Sequence, residues 1–179
     1  MPFLAAAVVL LGLLCLFNLV LTFGVIRRLR TYDQRLADNA AAPQVLGVGE
    51  RIDEFTTATV DGEPLSHTQL ATETVVAFFS PDCKPCRTKL PRFVEYARAL
   101  PGGRTQAVAT VVGSAAEAAE FVEQLSPVAR VVVEEPDEAM ATAFHVQAFP
   151  TLLRVAPDGD GRLVVTDNSV RLGQPAPVG

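Results

Sequence analysis

Thr74-Val75-Val76-Ala77-Phe78-Phe79 ends four residues before Cys83-Lys84-Pro85-Cys86. A continuous apolar run of that length reads as a strand buried on both faces, which requires a sheet covered by helices on both sides. Cys86 to Leu100 carries Phe93, Ala97 and Leu100 at helical spacing, so the pair sits where a buried strand gives way to a helix. Pro91 falls inside that helix and is expected to kink it.

The surrounding pattern agrees. Phe55 to Val60 has strand composition, and Asp61-Gly62 is a turn signal. Ser66 is placed to cap a short helix through Leu70. Gln106 to Val112 and Arg130 to Val133 read as further strands. Ser114 to Glu117 matches a capping box that opens a helix through Leu125. Asp137 is expected to cap a short helix to Phe144. Thr151 to Val155 and Leu163 to Val165, joined by a Pro- and Gly-rich turn, are expected to form an antiparallel edge. Strands alternating with helices imply an α/β fold with a mixed sheet flanked by helices.

Ahead of this domain, Phe3 to Ile26 carries no charged side chain. As a helix the segment would be about 36 Å long, enough to cross a bilayer core of about 30 Å with some tilt. A cleaved signal peptide fits less well, since no Lys or Arg precedes the run and the run is long. One N-terminal transmembrane helix is therefore expected, with Cys15 an inert side chain within it. The chain is read as an anchor at 3–26, a juxtamembrane spacer at 27–49, a folded domain at 50–166 and a C-terminal tail at 167–179. Net charge is −5, so no basic surface speaks for nucleic acid, and no nucleic-acid partner is expected.

The chemistry expected of the pair follows from its position. A thiolate at a helix N-terminus meets unpaired backbone N–H groups and the positive end of the helix dipole, which lowers a thiol pKa. Lys84 adds a positive charge, Asp82 opposes it, and Pro85 restricts the loop. Cys83, nearer the strand, is expected to be exposed and to attack; Cys86, in the first turn, is expected to be buried and to resolve the mixed disulfide. A zinc site is disfavoured: it needs four ligands in a closed site, Cys15 lies in the apolar N-terminal run out of reach, and the only histidines are His67 and His145. Both histidines read as ordinary side chains, and no cofactor or metal is expected. Phe149-Pro150-Thr151 precedes an apolar strand. Pro150 reads either as a plain proline at a strand start or as a cis proline whose neighbours bind a substrate chain beside the thiols.

Together these residues resemble the thioredoxin superfamily, and within it the membrane-anchored, TlpA-like disulfide reductases, including accessory proteins for methylamine dehydrogenase maturation. The resemblance covers about residues 45–165 and rests on FFSPDCKPCRTKLP at 78–91 and AFPTLLRV at 148–155. It implies a thioredoxin-like fold, Cys83 as nucleophile, Cys86 as resolving thiol, Pro150 as the cis proline, and disulfide chemistry outside the cytoplasm. The implied partners are a protein thiol or disulfide substrate and an unidentified electron donor or acceptor. The departures are specific. Asp82 stands where thioredoxins usually carry Trp, Ala77 where they carry a buried acid, and Lys89 where TlpA-like proteins often show Glu. Those acids accept the buried thiol's proton, so their loss suits a dedicated partner or an oxidant better than general reduction. A terminal helix also looks absent, leaving one sheet face poorly covered or covered by a partner.

The expected function is a membrane-tethered thiol–disulfide oxidoreductase exchanging disulfides with a protein partner. Two alternatives stand beside it. A peroxiredoxin-like peroxidase would use Cys83 with Ser80, but Val76 occupies the position where that motif needs Pro. A non-enzymatic assembly factor would use the fold alone. Orientation is contested: Arg27, Arg28, Arg30 and Arg35 follow the apolar run and favour a cytoplasmic domain, whereas the resemblance favours an extracytoplasmic one. The extracytoplasmic orientation is the expectation.

Overall fold

The computed structural model of the chain describes residues 46–173. The expected anchor at 3–26 lies outside the described residues, as do most of the spacer and the last residues of the tail. Among the described residues no helix is long and apolar enough to cross a membrane.

Two short strands, β1 (Thr56–Ala58) and β2 (Pro64–Ser66), form an antiparallel hairpin. β1 is shorter than the apolar composition of 55–60 implies. Phe55 turns into the core instead, and Val60 is exposed while its N–H bonds the carbonyl of Val131. Ser66 and Gln69 cap a single 3-10 turn, His67–Gln69. The main sheet contains β3 (Thr74–Phe79), β4 (Ala107–Val112), β5 (Arg130–Glu134), β6 (Thr151–Pro157) and β7 (Leu163–Asp167). Its spatial order is β5-β4-β3-β6-β7. β3 is parallel to β4 and antiparallel to β6, and β7 closes an antiparallel edge, so the sheet is mixed.

Side-chain alternation along β3 divides the core. Val75, Ala77 and Phe79 face helices α1 (Lys84–Arg98) and α2 (Ala115–Leu125). Val76 and Phe78 face the short helix α3 (Ala139–Ala143) and the N-terminal residues Ile52, Phe55 and Leu65. A period of two in an all-buried strand thus feeds two cores, as expected of a central strand. Aromatic pairs stitch both sides. Phe79 meets Phe93 at 5.4 Å on one face, and Phe78 meets Phe144 at 5.2 Å on the other. Such pairs contribute about 0.5–1.5 kcal/mol each beyond their buried area.

Two local expectations change. Helix α1 begins at Lys84, ahead of the expected Cys86, and continues past Pro91 to Arg98. Pro91 is exposed, so the carbonyl it leaves unpaired one turn earlier is open to water. Asp137 does not cap α3: it takes a positive φ of 66°, Glu138 is the N-cap, and the helix amides of Met140 and Ala141 bond the carboxylate of Glu134 instead. The end of the expected tail, where no terminal helix is expected, lies outside the described residues. Beside α1, the partly buried Val170 and Leu172 pack on the α1/α2 core where no helix covers it among the described residues.

Candidate active site

Cys83 is the N-cap of α1, with extended backbone angles of φ −86° and ψ 108°. Its N–H bonds the carbonyl of Ser80 at 3.1 Å, and its own carbonyl accepts from the N–H of Cys86 at 3.0 Å and of Arg87 at 3.3 Å. The loop from β3 is therefore a tight, hydrogen-bonded turn directly into the helix. Pro85 lies in the first helical turn, where its missing N–H is no loss. Cys83 is half-buried, Cys86 fully buried, and both are free thiols. Asp82, Lys84 and Pro85 are exposed around them.

Two contacts hold the turn. Arg87 donates from Nε to the carbonyl of Pro81 at 3.1 Å, and its guanidinium meets Glu120 of α2 at 3.3 Å. Pro81 also packs against Gly113, the residue after β4, where a Cβ would lie 3.2 Å from Pro81 Cδ. Gly113 has φ +155°, so both its backbone and its neighbour favour glycine. None of this support was read from the sequence. A Gly after an apolar strand was the available signal for Gly113, while the role of Arg87 depends on α2 arriving beside α1.

Opposite the thiols, the Phe149–Pro150 peptide bond is cis. The Cys83 thiol donates to the carbonyl of Phe149 at 3.3 Å, across 66 residues of chain. Thr151 begins β6, pairs with Phe78 of β3, and donates its hydroxyl to the carbonyl of Ala148. The antiparallel register of β3 and β6 thus brings Phe149, Pro150 and Cys83 together. The sequence positions singled out at 82–86 and 149–151 converge on one surface. His67 and His145 do not join them: His67 lies beside the carbonyl of Phe55, and His145 pairs with Asp53 at the surface.

The two sulfurs differ electrostatically. Burial and the neighbouring Cys83 push the Cys86 thiol up from its ordinary 9.0 to about 12, with Lys89 acting weakly in the opposite direction. Ala77, buried in β3, offers no proton acceptor beneath it. Cys86 is thus held neutral until something removes its proton.

The identity of the chain follows from comparison with known proteins. Residues 48–160 match the AhpC/TSA family, a span that contains β1 through β6 and both cysteines. The chain belongs to the AhpC/TSA family. No curated protein matches it in sequence. Among solved structures, this AhpC/TSA chain is similar to the thioredoxin domain of a thiol-disulfide oxidoreductase from Bacteroides vulgatus, with TM-score 0.51 and 18% identity over 67% of this chain and 87% of that one. It is also similar to a DsbF homologue from Corynebacterium diphtheriae, with TM-score 0.53 and 17% identity over 71% and 83%. A thiol:disulfide interchange protein from Bacteroides sp. gives TM-score 0.52 and 16% identity over 67% and 80%. At these identities the likeness establishes the fold: the domain is a thioredoxin-like mixed sheet flanked by helices.

Proposed function

We propose that this protein is a membrane-tethered thiol–disulfide oxidoreductase that exchanges disulfides with a protein partner through Cys83 and Cys86. The observation that carries the reading is the asymmetry of the pair. One sulfur is partly open at a helix N-terminus, and the other is buried one turn on with its pKa near 12. In the reducing direction the Cys83 thiolate attacks a sulfur of the substrate disulfide. A Cys83–substrate disulfide forms, and the other substrate sulfur leaves as a thiolate and takes a proton. Cys86 then loses its proton and attacks the Cys83 sulfur, releasing the second substrate thiolate. The pair ends as a disulfide, and two electrons have passed to the substrate. The reverse sequence oxidises a dithiol. An electron donor or acceptor protein closes the cycle.

Phe149, Pro150 and Thr151 are proposed to bind the substrate chain, because the Phe149 carbonyl already meets the Cys83 thiol. Lys84, Pro85 and Asp82 tune the pair through charge and loop stiffness. The absence of an acid at Ala77 and at Lys89 leaves Cys86 slow to deprotonate, which favours a dedicated partner of the TlpA-like kind. The uncharged run at 3–26 is the proposed anchor, with the domain facing away from the cytoplasm.

Trapping tests the exchange. Cys86→Ser is expected to accumulate a mixed disulfide with its partner, while Cys83→Ser accumulates none; equal trapping by both variants contradicts the assignment. Labelling intact cells with a membrane-impermeant maleimide after mild reduction tests orientation, since protection of Cys83 until lysis would place the domain inside. Membership of the AhpC/TSA family supports a second reading, a peroxidase using Cys83. Against it, Val76 is fully buried in the central strand, where a proline would remove a ladder hydrogen bond. Sustained peroxide consumption with a thiol donor would revive it.

A further inference from the structure

We propose that the groove between α1 and β6 receives a segment of the substrate protein, and that this segment is acidic and apolar. The inference rests on the exchange reading above and names the substrate class for the same site. The groove has a volume of about 380 Å³ and is lined by Lys89, Arg92 and Glu95 on one side and by Leu152, Val170 and Leu172 on the other. Its walls are built on α1 and β6, the helix that carries the thiol pair and the strand that follows Pro150. Lys89 is one helical turn beyond Cys86 and close enough for its charge to act on that thiol, and Leu152 is two residues beyond Pro150.

Its charge runs against that of the molecule. The chain is net −5 and has two lysines, and both lie on α1 at 84 and 89. Lys84, Lys89 and Arg92 are exposed, and none of them forms an ion pair among the described residues. Arg87, on the opposite flank of the same helix, is neutralised by Glu120. The α1 wall of the groove carries two cations and one carboxylate. Asp82 and Glu95 reduce the field without reversing it in the lining. Unpaired cations beside apolar side chains complement a strand that presents Asp or Glu next to Leu or Val. Such rim charges act mainly on the rate of encounter and on its salt dependence.

The test uses the full chain, reduced, with two disulfide-bonded peptides that differ only in having acidic or basic residues beside their cysteines, and with a small uncharged disulfide. The acidic peptide is expected to be reduced at least about tenfold faster than the basic one at low salt. The preference should collapse near about 1 M salt, where the Debye length is about 3 Å. Arg92→Glu should lower the acidic-to-basic rate ratio, and Arg92→Gln should lower it less. Equal rates, a basic preference, or a ratio unmoved by both Arg92 variants would overturn the inference while leaving the exchange reading intact. A faster reaction of both peptides on deleting residues 174–179 would make the chain's own end the occupant, and would overturn it too. No reaction with either peptide or with the small disulfide removes the exchange reading, and this inference with it.

Discussion

At the residue scale, chemistry is divided between two sulfurs by their depth. Cys83 caps a helix and reaches the Phe149 carbonyl, whereas Cys86 has no exposed surface. The raised pKa of Cys86 has a consequence for stability, and its sign follows from linkage. Burial favours the neutral thiol in the folded protein. That contribution is complete below the ordinary value of 9.0 and is lost as pH rises from 9.0 toward about 12. Urea unfolding of the reduced protein should therefore give a lower midpoint at about pH 10 than at about pH 8, and Cys86→Ala should remove that part of the decline. The same proton controls resolution, so the lifetime of the mixed disulfide should shorten as pH rises over this range. The sequence carried the identity and order of the thiols, because a helix start is written locally. The partner of the Cys83 thiol was not legible, because a carbonyl carries no signature in side-chain sequence.

At the scale of elements, two junctions hold the site in position. Gly113 joins β4 to α2 and passes close to Pro81 of the thiol loop. Gly113→Ala should lower stability by about 1–3 kcal/mol, through the strained φ and the 3.2 Å contact, as measured by chemical denaturation. Glu134 ends β5 and is 4% exposed, with its carboxylate accepting from the amides of Met140 at 3.0 Å and Ala141 at 2.7 Å. Burial holds its carboxyl above the usual 4.5 even against those bonds. Helix α3 precedes the 149–151 segment by five residues, and Phe144 at its end packs on Phe78 of β3. Glu134→Ala leaves two buried amides unpaired and should cost about 1–3 kcal/mol per amide, while exposed Glu135→Ala should cost little. The strands and α2 were readable as elements from apolar runs and a capping box. Asp137 misled because an acid just ahead of an apolar stretch looks like a cap from either side. The sequence does not say that Glu134, at the end of a strand, turns back to serve the helix.

For the molecule as a whole, two cores on either side of one sheet make the described region self-contained. The described residues belong to one compact unit. A fragment starting at Pro43 should fold without the preceding residues in one cooperative transition, with near-ultraviolet circular dichroism and denaturation matching those of the full chain in detergent. On the β6 side of the α1/α2 core lies a buried cation. Arg154 is 7% exposed, pairs with Glu73 at 2.7 Å, and donates to the Tyr96 hydroxyl. Glu73 is half exposed, so losing Arg154 strands no buried charge, but it empties buried space beside Tyr96. Arg154→Ala, which removes that packing and the Tyr96 hydrogen bond, should destabilise the fold by about 1–3 kcal/mol in chemical denaturation, and a partially rescuing Arg154→Met would show how much of that is packing.

Some properties of this protein were determined by sequence alone. These include the buried central strand, the helix that begins at the thiols, the alternation that makes an α/β sheet, and the uncharged N-terminal run. Each depends on periodicity or on neighbours a few residues apart, and such patterns encode which face is buried. They do not encode which strand lies alongside. The antiparallel register of β3 with β6 sets Phe149 against Cys83, and the packing of α2 on α1 directs Arg87 to Glu120. The path of residues 170–173 after β7 completes a groove beside α1 that carries two cations. Those were decided only by tertiary structure, because contacts across 30 to 80 residues arise from the packing of whole elements.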